Sequence, residues 1–483
     1  MELRKYKTII YECYDLASLD AKNLYNSLND DGSLFIITDY ISDGLFIQPT
    51  VFEIADHLIK NKFYFINNLV CINEKPTDLI KGLRHTYYHV IWLAKNLNEL
   101  YFDKDKIREK HIWKDVEWGK RAKNYNSKGK DPGNVWIPTE DDGKANITKH
   151  IFLSKEDIIR RCLDTTVIKD EHVFIKSNLT YLNYPDINID FLKFDKKKQP
   201  QTLTNLKPKN ELQHKEFDGT GEVYFKSCED MKEIESNSIN LMVTSPPYWD
   251  LKNYFKEGQI GYKESYEKYL ERIKNVWKET YRVLKDDGSM WININTRTVN
   301  KKPYLIPFDI IKHCLELGFK LVDVIIWHKS SGIPTHDKNI VDRFEYFIWF
   351  AKSDSFKYNP QLIEKITDYK NDLMNKGDIW NINRKAGSVG KNFIHPAIYP
   401  TKLIDRIIEL CTTEGDLVLD PFLGSGTSMI SSINNKRSFI GYEFNEGFID
   451  LIEHRVKNEI INDFVLNSHY LDKASTRLNI MRK

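Results

Sequence analysis

The sequence predicts an α/β protein: a mostly parallel sheet with helices on both faces in the C-terminal half, preceded by a second, related α/β unit. Three observations predict it. Apolar runs of strand length alternate with segments of helical spacing from Ile239 to Tyr442. A strand at residues 417–419 runs into a glycine-rich turn and then a helix. The N-terminal half repeats part of the C-terminal pattern in the same order.

The 483 residues suit about two or three domains. Residues 193–216, KFDKKKQPQTLTNLKPKNELQHKE, are polar and Lys-rich with two prolines, and read as a connector. The expected division is therefore a unit over 1–190, a linker over 191–218 and a second unit over 219–483. In the second unit, Ile239–Thr244 (INLMVT) is a short apolar run that ends in a Pro-Pro turn. Tyr266–Leu284 has helical spacing, and Ser289–Asn295 reads as a strand. Pro307–Leu317 looks helical, and strands follow at Leu321–Trp327 and Tyr346–Ala351. Thr401–Leu410 is helical, Leu417–Leu419 a strand, Ser425–Asn434 a helix and Ser438–Tyr442 a strand. Ligands of such sheets bind at the carboxyl ends of the strands.

The repeat supports the first unit. LNDDGSLFI (Leu28–Ile36) resembles LKDDGSMWI (Leu284–Ile292) at an offset of 256 residues. Phe52, Ile54 and Phe63 match Phe308, Ile310 and Phe319 at that offset, and IWLAK (Ile91–Lys95) matches IWFAK (Ile348–Lys352) at 257. GNVWI (Gly133–Ile137) resembles GDIWN (Gly377–Asn381). Apolar strands resemble one another by chance, but four matches in one order indicate a duplication.

Two motifs carry chemistry. Thr244-Ser245-Pro246-Pro247-Tyr248-Trp249 follows a strand. Consecutive prolines fix the backbone and lack N–H donors, so carbonyls point outward from a rigid turn. With Ser245 they offer acceptors, and Tyr248 and Trp249 offer flat apolar faces. An exocyclic amino group on a flipped base has N–H bonds and a π-face that suit such a site. The second motif is Leu417-Val418-Leu419-Asp420-Pro421-Phe422-Leu423-Gly424-Ser425-Gly426-Thr427. Its glycines allow a ligand to approach the backbone, and the following helix offers free N–H groups. It is neither a Walker loop nor a full G-x-G-x-x-G. Glu443 lies 23 residues after Asp420, at the end of FIGYE, where a carboxylate suits two ribose hydroxyls.

TSPPYW followed far downstream by DPFLGSGT resembles the β-class of S-adenosylmethionine-dependent DNA amino-methyltransferases over about residues 220–460. ETYRVLKDDGSMWIN (279–293), EYFIWFAK (345–352) and HPAIYPTKLIDRII (395–408) extend the likeness. The resemblance implies a Rossmann-like methyltransferase sheet and a degenerate methyltransferase-like N-terminal half. It implies that Ser245, Pro246, Pro247 and Tyr248 are catalytic, and that Asp420, Phe422, Gly424, Gly426, Glu443, Pro400 and Ser227 bind the cofactor, S-adenosylmethionine. Ser227 stands where the family has an aspartate that holds the cofactor's adenine; acidic groups follow at Glu229 and Asp230. The S-P-P-Y-W form leans toward N4 of cytosine over N6 of adenine, and both remain open. No cysteine follows a proline, against a C5-cytosine enzyme.

The implied partners are double-stranded DNA and a cognate restriction endonuclease of a restriction-modification system. A non-catalytic DNA-binding regulator on the same fold is the second class. Methylation of RNA or of a protein glutamine is a third, which the motif order disfavours. The N-terminal half lacks both motifs: Ile9-Ile10-Tyr11-Glu12-Cys13-Tyr14 stands where TSPPYW is expected, and no G-x-G follows Lys155–Leu163. Residues 104–130 hold ten Lys/Arg and four Asp/Glu, with Trp113, Trp118 and Tyr125 interleaved, which suits phosphates and bases. Ser355–Asn392 is the other recognition candidate. The expected assembly is a monomer acting as an internal pseudo-dimer.

Composition excludes other classes. Lys+Arg 71 against Asp+Glu 69 gives net charge no vote for nucleic acid, so any such surface is local. The most apolar run, Phe344 to Ala351, carries Glu345, so no membrane span is expected. The first thirty residues have no signal-peptide core, so a cytoplasmic chain is expected. Six cysteines without a C-x-x-C argue against a zinc site and a disulfide framework, so no metal is expected.

Overall fold

The computed structural model describes residues 4–78, 83–108, 126–136, 139–141, 148–150, 153–179, 181–194, 217, 219–329, 339–359, 377–383, 388–389, 393–394, 399–470 and 473–480. The N-terminal half supplies strands β1 (Tyr6–Glu12), β2 (Leu28–Thr38), β3 (Tyr64–Asp78), β4 (Arg84–Ala94), β5 (Val135–Trp136), β6 (His172–Ser177) and β7 (Asn188–Lys193). The C-terminal half supplies β8 (Thr220–Phe225), β9 (Ile239–Thr244), β10 (Leu284–Ile294), β11 (Lys320–His328), β12 (Phe344–Ala351), β13 (Ile379–Asn381), β14 (Leu417–Asp420), β15 (Ser438–Tyr442), β16 (Phe464–Tyr470) and β17 (Lys473–Ile480). Covering helices are α1 (Ala21–Ser27), α2 (Thr50–Lys60), α3 (Lys155–Thr166), α4 (Tyr266–Val283), α5 (Ile306–Glu316), α6 (Thr401–Cys411), α7 (Thr427–Asn434) and α8 (Ile449–Glu459).

Strand order is β7-β6-β1-β2-β4-β3-β5 in the first sheet and β13-β11-β12-β10-β9-β14-β15-β8-β16-β17 in the second. The first seven strands thus occur in the second sheet in the same order, reversed in listing: β5 corresponds to β13 and β7 to β15. This is the predicted α/β architecture. The duplication extends to its irregularities. The equivalent strands β1 and β9 each slip register against their neighbours β2 and β10, between Tyr6 and Thr8 and between Ile239 and Leu241. Trp92 Nε1 donates to Ser33 Oγ at 3.1 Å, and Trp349 Nε1 donates to Ser289 Oγ at 3.2 Å. Lys95 and Lys352 each reach back to the first carbonyl of β2 and β10, Leu28 and Leu284.

Register also corrects two readings. Tyr11 pairs with Ile36 as Thr244 pairs with Ile292, so Tyr11-Glu12-Cys13-Tyr14 stands opposite Thr244-Ser245-Pro246-Pro247. That is two residues later than the sequence alignment placed it, because the first strand carries a different offset from the second. The strand Asn188–Lys193 also runs past the boundary set at 190, held by parallel pairing to β6.

The halves share one core. An apolar cluster runs from Ile9, Phe52 and Leu58 in the first half to Ile273, Phe308 and Phe350 in the second. Amphipathic α2 and α5 meet at its centre, where the equivalent residues Phe52 and Phe308 stack with centroids 6.2 Å apart and planes at 15°. Around them the contacts obey a local twofold. Thr86 N donates to Asp378 Oδ1 at 2.9 Å, and its counterpart Arg343 N donates to Asn134 Oδ1 at 2.8 Å. No helix among the described residues is long and apolar enough to cross a membrane.

Candidate functional site

In the second sheet β8, β9, β14 and β15 are parallel neighbours, and the turns after them open onto one cavity of about 620 Å³. Ser245, Pro246, Pro247 and Tyr248 line it from the end of β9. The turn is fixed from outside: Tyr269 Oη donates to the Pro247 carbonyl at 2.8 Å, and Arg297 donates to the carbonyls of Tyr248 (3.2 Å) and Asp250 (2.9 Å). Trp249 is buried, with its Nε1 on the Glu264 carbonyl at 3.0 Å and its ring against Tyr304, so it supports the turn.

Tyr248 Oη donates to Glu345 Oε2 at 2.9 Å and lies 3.1 Å from Asn293 Oδ1. The buried Lys329 ammonium pairs with the other Glu345 oxygen. Burial, with Glu345 beside it, pushes the Tyr248 hydroxyl well above its ordinary pKa. Glu345 and Asn293 also line the cavity, and sequence reasoning missed both. The available signal was Glu345 itself, a charge inside the most apolar strand, where an unpaired carboxylate is costly.

Phe422, Gly424 and Glu443 line the opposite wall. Gly424 has φ +55°, and its N–H donates to Glu443 Oε2 at 2.8 Å; Asn445 N donates to Oε1 at 2.7 Å. Burial pushes the Glu443 carboxyl up to about 7 against those two donors. Ser227 lines the cavity too, and its Oγ donates to Glu229 Oε2 at 2.9 Å; Glu229 in turn is paired with Arg272.

Three residues expected at the cavity stand elsewhere. Asp420 is fully buried and lies behind the turn. Its Oδ1 accepts from Thr244 Oγ1 at 2.6 Å and from Phe422 N at 2.9 Å, and Ser428 holds Oδ2. It thereby ties the strand before the Pro-Pro turn to the glycine-rich turn. Gly426 caps α7 at φ +81°, and a Cβ there would meet Met429 Cε at 3.3 Å, inside the fold. Pro400 caps α6, and its neighbour Tyr399 lines the cavity instead.

The equivalent place in the first half is filled. Glu12, in the position of Ser245, accepts from Lys155 Nζ (2.8 Å), Tyr14 Oη (2.7 Å), Ser177 Oγ (3.0 Å) and Asn178 N (2.8 Å). Against the upward push of burial, Lys155 and these donors hold its carboxyl below the usual range. Register puts Ile175-Lys176-Ser177-Asn178-Leu179 where Asp420–Gly424 stands, without a glycine. Of the basic stretch, residues 109–125, with Trp113, Trp118, Lys120, Arg121, Lys123 and Tyr125, lie outside the described residues. Lys104, Arg108 and Lys128 pair with Asp105 and Asp131. Residues 360–376, 384–387 and 390–392 of the other recognition candidate lie outside as well.

A DNA methylase family model matches residues 3–215 and 239–454. The chain is 31% identical over 264 residues to the Type II methyltransferase M.Cfr9I of Citrobacter freundii, covering 48% of this chain and 86% of that protein. It is 32% identical over 286 residues to the Type II methyltransferase M.MthZI of Methanothermobacter thermautotrophicus, covering 51% and 80%. Among solved structures, the PvuII DNA methyltransferase (cytosine-N4-specific) matches at 22% identity with a TM-score of 0.42, covering 50% of this chain and 88% of that one. With both halves matched by the one model, the chain belongs to the N6/N4-type DNA methylase family.

Proposed function

We propose that the C-terminal half transfers a methyl group from S-adenosylmethionine to N4 of cytosine in double-stranded DNA. It serves as the modification enzyme of a type II restriction-modification system, beside a cognate endonuclease. One observation carries the reading: Ser245-Pro246-Pro247-Tyr248 and the Gly424–Glu443 wall face the same cavity, joined through the Thr244–Asp420 hydrogen bond of 2.6 Å.

The residues present fit the cofactor. Glu443 is a buried carboxylate at a strand end, suited to ribose hydroxyls, and Gly424 leaves backbone open beside it. Ser227 would take the adenine side, with Phe422 packing on the ring. When bound, S-adenosylmethionine supplies a methyl on a sulfonium, already activated, so the chain's task is positioning. Ser245 Oγ and the Pro246 carbonyl accept the two amino hydrogens of the flipped base and keep its lone pair toward the cofactor wall. Tyr248 stacks on the base. Ser245, where adenine enzymes more often have aspartate, supports cytosine.

The N-terminal half, with its site filled by Glu12 and Lys155, takes the place of a second subunit and binds no cofactor. Methylation-aware sequencing of DNA from cells expressing the chain tests base and site together: N4-methylcytosine at a fixed sequence is expected, and N6-methyladenine would reassign the base. Calorimetric titration should saturate at one cofactor per chain; no binding would leave a non-catalytic regulator.

A further inference from the structure

Seven residues beyond Tyr248 the chain displays Phe255, 76% exposed and the most exposed large apolar side chain among the described residues. Its exposure is not the result of a loose segment. The Gln259 side chain, itself buried, clamps the loop from within: Oε1 accepts from Tyr254 N at 2.6 Å and Nε2 donates to the Lys252 carbonyl at 3.0 Å. Asn445 Nδ2 donates to the Tyr254 carbonyl at 2.7 Å, which ties the loop to the turn after Glu443. Arg272 holds the Gly258 carbonyl at 3.0 Å, and Asp250 N holds the Gly261 carbonyl at 2.7 Å.

The backbone at Phe255 lies at φ +63°, a conformation that glycine or asparagine adopts at least cost. An aromatic there gains little from the fold: it is strained, mostly in water, and borne on a clamped loop. Its position is the informative part. Leu251, Lys252, Tyr254 and Lys256 line the cavity, so the loop borders it, and the exposed Phe255 stands between two of those lining residues, close in the chain to the turn that would hold a flipped base. Leu251 is also exposed, at 49%. Lys252, Lys256 and Lys263 match Asp250, Glu257 and Glu264 in number on the loop, but Glu264 is taken up by Arg272 at 2.7 Å and by Gly261 N at 2.8 Å, and Lys256 is only loosely paired to Glu446 at 3.7 Å.

We infer that Phe255 is a wedge that enters the base stack of duplex DNA and fills the gap left by the extruded base, while the flanking lysines meet phosphates. The inference rests on the DNA methyltransferase reading above. A base leaves the stack at the cost of unstacking and unpairing, and an apolar side chain inserted into the gap offsets that cost. The benefit of a wedge is therefore largest where the target is fully paired and smallest where pairing is already lost.

That difference is the test. The substrates are synthetic duplexes carrying the site assigned by sequencing, one fully paired and one with the target base opposite an abasic position. Single-turnover methylation by the full-length chain is compared with Phe255→Ala and Phe255→Trp. Phe255→Ala should lose about ten- to hundredfold on the paired duplex and recover to within about threefold on the abasic one. Phe255→Trp should stay close to the parent on both, and cofactor titration should be the same for all three. An equal loss of Phe255→Ala on both duplexes overturns the wedge. Parental rates of Phe255→Ala on both overturn it too and leave the ring to a protein partner. If the parent chain methylates no DNA, the functional reading has failed, and the inference with it.

Discussion

Glu443 should make cofactor binding release a proton. Burial pushes its carboxyl from the ordinary 4.5 up to about 7, and the nearby Asp420 adds to the shift. At about 1.4 kcal/mol per unit this is a cost of about 3 kcal/mol to the charged form. The sign for stability follows: a raised carboxyl contributes fully below about 4.5, and the contribution is lost as pH rises through about 7. Ribose hydroxyls donate to a carboxylate and so favour the charged form. At pH 7 about half of the free protein carries the proton, so binding should release about half a proton per cofactor. The count should be about nine-tenths at pH 6 and about one-tenth at pH 8. Affinity should accordingly be about tenfold higher at pH 8 than at pH 6 from this group alone. Calorimetry in buffers of different ionisation enthalpy measures the proton count. Glu443→Gln cancels the contributions of the cofactor's own groups, which are common to both proteins. Equal proton counts for the parent and the Gln variant would refute the reasoning.

Other outcomes are expected. Tyr248→Ala should lower turnover through loss of a stacking face, ~1–3 kcal/mol, with cofactor affinity unchanged by titration. Asp420→Ala should lower unfolding free energy by about 3 kcal/mol or more in urea, because Thr244, Ser428 and the Phe422 N–H lose a buried acceptor. Gly426→Val should cost about 1–3 kcal/mol of stability from backbone strain, whereas Gly424→Val should abolish cofactor binding in a folded chain. Lys155→Ala should destabilise by about 3 kcal/mol, at the low end for a buried pair because Lys155 is partly exposed, and should not change cofactor affinity.

Much of the fold was legible because strand and helix periods differ. Ile239–Thr244 is read and found with the same ends, and Pro307–Leu317 appears as α5, Ile306–Glu316. The helix read from Ser425 begins at Thr427, because Gly426 takes the left-handed cap. The strand read at Leu417–Leu419 runs straight into an aspartate, Asp420, whose direction no local pattern reveals; only the strand beside it, through Thr244, shows that it points inward. Glu345 is similar. Its partners Lys329 and Tyr248 come from two other segments, and single-sequence reading has no access to such separations. The strand Phe464–Tyr470, second from the sheet edge, went unread because FVLNSHY is too polar for an apolar run. The repeat was visible along one strand and at the end of its neighbour: DDGS lies within β2 and β10, and the lysine of W-x-A-K, just past β4 and β12, reaches back to the first carbonyl of β2 and β10.

The local twofold has a consequence for how the chain assembles. In a homodimer each substitution occurs twice, so both ends of the axis must carry the same chemistry. A fused pair has no such tie, and here the ends have diverged. At one end His85 Nδ1 lies 2.7 Å from Asp378 Oδ2. At the other the equivalent positions are Asp342 and Asn134, with Asn134 Nδ2 donating to Asp342 Oδ1 at 2.9 Å. Two catalytic halves brought together would set Asp342 against Asp378, two carboxylates facing each other, while two N-terminal halves would set His85 against Asn134 and forgo the ion pair. Each half is thus matched to the other and mismatched to itself. Covalent linkage keeps the right partner at a high local concentration however dilute the protein becomes.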